Sequence, residues 1–106
     1  MERIEIHPIK QDFYRNLGKL KGWQITRIGK GQAVKAHSHK FHAVYFTNGV
    51  KKLYSKVKTM ELPEFASVFV PKGVEHAWSG VLEKMEKAEI GHFHEGHGIH
   101  AIVPEY

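Results

Sequence analysis

A chain of 106 residues, 42% hydrophobic and 25% charged, is enough for one globular domain with one core and no more. It contains no cysteine, which excludes disulfides, thiolate metal sites and cysteine nucleophiles. The formal charge is +5, but the lysines are scattered apart from a cluster at Lys51, Lys52, Lys56 and Lys58, and only three arginines are present, so a dense basic stripe for nucleic acid is missing. No apolar run approaches the ~20 residues of a membrane helix. The opening Met1-Glu2-Arg3-Ile4-Glu5 lacks the apolar core of a signal peptide, and the expected location is the cytoplasm.

In chain order, Met1 to Ile9 alternates with Ile4 and Ile6 on one face, a short opening strand ended by Pro8. Phe13, Leu17 and Leu20 fall at spacings of four and three, a weak helical pattern that Gly18 and Gly22 weaken further, so a loop with one helical turn fits equally. Residues 1–22 are expected to form a strand and turn segment ahead of the main β structure. No strand leads into these glycines in the way a phosphate-binding loop requires.

Strand formers fill Trp23 to Ile28, and Gly29-Lys30-Gly31 turns the chain into a second strand, Gln32 to His39. A third runs from His42 to Thr47. Asn48-Gly49 is a strong short-range hairpin signal, with Val50 to Leu62 as one long returning strand. After Pro63-Glu64 come Ala66 to Val70, the turn Pro71-Lys72-Gly73, and Val74 to Ser79, broken by Gly80. Leu82 to Phe93 suits a helix by propensity, yet a strand over Lys87 to Phe93 is favoured because a closed barrel needs one there. His94 to Gly98 reads as a turn and Ile99 to Val103 as a final strand. About eight short strands separated by turn residues point to a single all-β domain over residues 1–106, a barrel or jelly roll of two antiparallel sheets.

Nine histidines in 106 residues are the compositional anomaly. His37 and His39 are two apart in an extended segment, so their side chains point to one face and can converge. Neutral imidazole is a strong ligand for divalent transition metals. A further imidazole, His76, follows the Pro71-Lys72-Gly73 turn.

These residues carry a resemblance to the cupin superfamily. Gly31 is followed by five residues and then His37-Ser38-His39, and Pro71, Gly73 and His76 form Pro-x-Gly-x-x-His, similar to the two cupin motifs over roughly Gly31 to Gly80. The resemblance implies a double-stranded β-helix barrel and one divalent metal (Fe, Mn, Ni, Cu or Zn) held by His37, His39 and His76. The glutamate of the first motif is absent, with Ala43 and Val44 at its spacing, and Gly80 stands where an asparagine often closes the second. His42 lies seven residues before Gly49 and is expected to replace the carboxylate as the remaining ligand. If His42 faces inward, so do Val44 and Phe46, which together with Trp78 would line the pocket. Ala43 facing inward is the competing register. In the favoured register Tyr45, like Glu75, has outward parity, and no separate general base stands out.

Four neutral imidazoles would leave a divalent ion its full charge, a Lewis acid that attracts an anionic ligand. Two functions follow from the resemblance. One is a metal-dependent enzyme, similar to dioxygenases or isomerases, acting on a small anionic molecule. The other is a small-molecule binder of a sugar or metabolite, since His-x-His-x-Phe-His resembles the sensor barrels of sugar-responsive regulators. A homodimer is expected by analogy with small cupins, whose sheet edges need covering. His92, His94, His97 and His100 are either a second site or, the favoured reading, polar residues on a terminal hairpin, and His7 is expected to be exposed.

Overall fold

In a computed structural model that describes residues 3–93, most of the expected short strands are present. They are β1 (Glu5–Pro8), β2 (Gln24–Gly29), β3 (Ala33–His37), β4 (Ala43–Asn48), β5 (Val50–Ser55), β6 (Thr59–Glu61), β7 (Phe65–Val70), β8 (His76–Val81) and β9 (Lys87–His92), with one helix, α1 (Gln11–Leu17). The ambiguous segment before Phe93 is thus a strand. It pairs on both sides, with β4 and with β2, and that pairing outweighs its helical propensity. The expectations for His94 to Gly98 and Ile99 to Val103 fall outside the described residues.

The strands form two antiparallel sheets, a five-stranded one in the order β1-β7-β4-β9-β2 and a four-stranded one in the order β3-β8-β5-β6. Among the described residues no strand of one sheet pairs with a strand of the other. The closed barrel is therefore replaced by two sheets packed face to face. Ala43, Tyr45, Val68, Val70, Ala88 and Ile90 of the larger sheet meet Val50, Leu53, Trp78 and Val81 of the smaller in one apolar core, and excluding these side chains from water drives the packing.

The other face of the larger sheet is also covered. Tyr14 and Leu17 of α1 pack with Val44, Phe46 and Phe93, and Trp23, Phe65 and Phe69 complete this second cluster. The apolar stripe of the helix is thus Tyr14 and Leu17, while Phe13 and Leu20 are exposed. Trp23 packs over Gly91 so closely that a Cβ there would clash with its indole ring. Within residues 3–22, β1 hydrogen-bonds to β7 as the sheet's edge, and α1 roofs its outer face.

Two turns depart from the sequence reading. Asn48-Gly49 is not a hairpin, because β4 and β5 belong to different sheets. Gly49 turns a corner between them at φ +84°, its N–H donating to the Glu64 carbonyl at 2.7 Å and its own carbonyl accepting from the Leu82 N–H at 3.0 Å. An Asn-Gly pair supplies the positive φ a tight bend needs, but tertiary pairing decides where the chain goes next. The long strand expected over Val50 to Leu62 is instead a hairpin, β5 to β6. The Ser55 hydroxyl accepts the N–H groups of Val57 and Lys58, and Val57 stands 87% exposed at the tip. β8 runs through Gly80 to Val81.

Candidate metal centre

His37 ends β3, and β3 pairs with β8 through a bulge. Ala33 and Val34 face Ser79 and Trp78, and then the register slips by one, so that His37 lies opposite His76. A bulge re-aims the side chains that follow it, and here it brings the two imidazoles to a centroid separation of 4.4 Å across the strands. His39 follows in the loop to β4, a loop anchored by the Gly73 N–H donating to the His39 carbonyl at 2.7 Å. Its ring lies 4.9 Å from that of His37 and 5.5 Å from that of His76. One nitrogen from each of the three rings falls within 4.8 Å of the others. A tetrahedral ion with metal–nitrogen bonds of about 2.0–2.1 Å needs ligand nitrogens about 3.3–3.5 Å apart, a contraction within reach of side-chain rotation.

Hydrogen bonds set the free nitrogens. Nδ1 of His37 bonds to the Lys35 carbonyl at 2.7 Å, and Nδ1 of His76 to the Val74 carbonyl at 3.0 Å. A carbonyl only accepts, so in both neutral rings Nδ1 carries the proton and Nε2 offers a lone pair. His76 is 1% exposed, and its Nε2 is buried without a hydrogen-bond partner among the described residues. A buried polar atom left unpaired calls for an explanation, and a bound ion supplies one.

Burial, and then the neighbouring His37, hold the pKa of His39 below its ordinary 6.5. For His76 burial again lowers the value, offset in part by the bond to Val74 and reinforced by His37 and His39. Both rings are therefore neutral, ligand-ready imidazoles at neutral pH. Because their folded values lie below 6.5, the unfolded chain takes up protons first as the pH falls. Stability of the metal-free protein is thus expected to be level above about pH 6.5 and to decline below it as these rings are forced to ionise. Urea midpoints measured without metal from pH 8 to pH 5 check this, and midpoints that rise on acidification contradict it.

The other residues expected at the site are placed differently. His42 is a correction. It is exposed, its Nδ1 accepts the Lys72 N–H at 3.1 Å, and its ring leans on Phe69. Ala43 opens β4 facing the inter-sheet core, and parity then turns His42, Val44 and Phe46 to the opposite face, where Val44 and Phe46 pack beneath α1. Val44 and Phe46 accordingly belong to the second apolar cluster and do not line the pocket. Trp78 is 1% exposed and lines the cavity beside the histidines.

That cavity holds about 170 Å³ and is bounded by His37, His39, Tyr45, Trp78, Ile90 and His92, among others. It is smaller than the ~300–1,000 Å³ of a drug-sized site. No Asp, Glu, Lys or Arg side chain lines it among the described residues. Tyr45, assigned outward parity from sequence, faces this space. Its hydroxyl is 2.9 Å from Nε2 of His39, its ring is 5.6 Å from His76 and 5.2 Å from Trp78, and burial pushes its pKa up to about 12. His92, opposite Tyr45 in the β4–β9 ladder, also reaches the cavity. His94, His97 and His100 lie outside the described residues. The signal for Tyr45 was the competing register with Ala43 inward; for His92 it was the strand favoured over Lys87 to Phe93, in which it shares parity with Ala88 and Ile90 of the inter-sheet core.

A divalent ion held by three neutral imidazoles keeps its full charge, and in a small apolar cavity such a centre polarises an oxygen ligand strongly. No protein-family model, curated protein or solved structure matches the chain in comparisons with each. None of the helices among the described residues is long and apolar enough to cross a membrane.

Proposed function

We propose that this protein is a metal-dependent enzyme built on a cupin-type jelly roll, dioxygenase- or isomerase-like, that acts on a small anionic molecule. The carrying observation is the convergence of His37, His39 and His76 beside a small cavity free of charged side chains. A bound divalent ion would supply a Lewis-acidic centre for an oxygen ligand. The protein's own part is to present three imidazoles in fixed orientations, two of them aimed by backbone carbonyls, to exclude water with Trp78 and Ile90, and to limit substrate size. With no acidic or basic side chain on the described wall, the ion is the sole full charge available to attract an anion.

The same bareness favours a second reading, a non-catalytic small-molecule binding module on the same fold. Apart from imidazoles, the Tyr45 hydroxyl and Thr26, the cavity has little with which to move a proton. Metal analysis of untagged protein, purified without a nickel column, is expected to find close to one transition metal per chain. Oxygen uptake or isomerisation in a panel of small keto and hydroxy acids supports the enzyme. A retained ligand without turnover supports the binder, and metal-free protein sinks the enzyme. Homodimerisation through an edge strand belongs to this proposal and is checked by sedimentation mass.

A further inference from the structure

Each of the three clustered rings has one nitrogen engaged by the protein, but the engaging groups differ in kind. His37 and His76 meet backbone carbonyls through Nδ1, whereas His39 meets the Tyr45 hydroxyl through Nε2. A carbonyl dictates the direction of the bond. A hydroxyl does not, because it both donates and accepts. The His39–Tyr45 bond is therefore the one contact in the cluster whose polarity an ion can set.

Metal-ligating histidines characteristically donate their other ring N–H to a protein acceptor. Applied here, the rule leaves Nε2 of His37, Nε2 of His76 and Nδ1 of His39 for an ion. His39 must then keep its proton on Nε2 and donate it to the Tyr45 oxygen. The hydroxyl hydrogen of Tyr45 is freed by that donation. Tyr45 lines the cavity, and its described hydrogen bonding is to His39 alone, so the freed O–H has the cavity to turn to.

Resting on the metal-centre reading above, we propose that Tyr45 is a positioning residue that turns Nδ1 of His39 toward the ion and, once the ion is bound, offers its own O–H to an anionic oxygen of the cavity ligand. Metal loading and ligand capture are thereby ordered: the ion fixes the direction of the His39–Tyr45 bond, and that direction creates the donor. The ligand class is a small carboxylate, one oxygen on the ion and an acceptor oxygen within reach of Tyr45.

The test uses Zn(II) and Co(II) as metals and acetate as the carboxylate probe. In Zn(II)-loaded protein with ¹⁵N-labelled histidine, two-bond ¹H–¹⁵N spectra are expected to show His39 protonated on Nε2, opposite to His37 and His76. Tyr45→Phe, which keeps the buried ring, is expected to fold and melt like the wild type. It should bind Co(II) about 10–100-fold more weakly, as loss of an outer-shell partner does. Acetate, followed by the Co(II) visible spectrum, should bind at least about tenfold more weakly for want of a hydrogen bond to a charged group. His39 bound through Nε2 overturns the inference, as does a Tyr45→Phe protein with unchanged affinities for both probes. Wild-type protein that takes up neither metal overturns the metal reading itself, and this inference with it.

Discussion

Replacing His76 by alanine is expected to strip the protein of metal. His76 is the one fully buried member of the cluster, and its Nε2 has no described hydrogen-bond partner. Its removal leaves His37 and His39, two ligands where three were arranged to meet. Loss of a direct ligand should exceed the about 10–100-fold that loss of an outer-shell partner costs, so metal content falls below detection after dialysis. Because His76 is packed in the core, the companion variant His39→Ala, on a half-exposed loop, reports metal loss without a large folding cost. His42→Ala is the control: its ring is outside the cluster, and full metal content is expected. Metal retained in His76→Ala or His39→Ala, or lost in His42→Ala, would place the ion elsewhere.

Phe46→Ala is expected to cost about 3–5 kcal/mol of folding stability, the usual range for emptying a buried aromatic site. Phe46 is 0% exposed, with its ring 6.1 Å from Phe13 and 6.3 Å from Trp23. It forms the floor on which α1 rests, so its loss loosens the helix as well as leaving a void. Against a total of about 5–15 kcal/mol for a domain, this is a large fraction, visible as a lowered urea midpoint. Metal content is expected to stay normal in the fraction that folds, because Phe46 lies on the far side of the sheet from the histidines. A loss under about 1 kcal/mol, or a stable variant that no longer binds metal, would contradict the assignment of Phe46 to the outer face.

These two outcomes turn on β4, where sequence and structure part. Turn residues and runs of strand formers mark most strands within a residue or two, and the His-x-His spacing with the later Pro-x-Gly-x-x-His picks out the three imidazoles that meet. Parity failed at β4 for a physical reason. Alternation reveals a strand's inward face only when its other face is wet, and Ala43 to Thr47 is buried on both faces because α1 covers the outer one. Maximising apolar character inward was then no guide, and the choice of Val44 and Phe46 carried His42 in and Tyr45 out. Nor was the bulge that sets His37 against His76 legible, since it depends on the strand opposite. Asn48-Gly49 specified a bend correctly but not the sheet to which the bend leads.

The strand order of the larger sheet has a consequence for how the chain is made. No two neighbours in β1-β7-β4-β9-β2 are consecutive in sequence, so none of its ladders can form as a local hairpin. During synthesis β4 must wait for β7, and β2 cannot join until residues 87–92 have left the ribosome. Domains dominated by such distant pairings fold slowly, in milliseconds to seconds. Through that interval the nascent polypeptide carries unpaired, apolar β4, the kind of segment that chaperones bind and that self-associates when they are scarce.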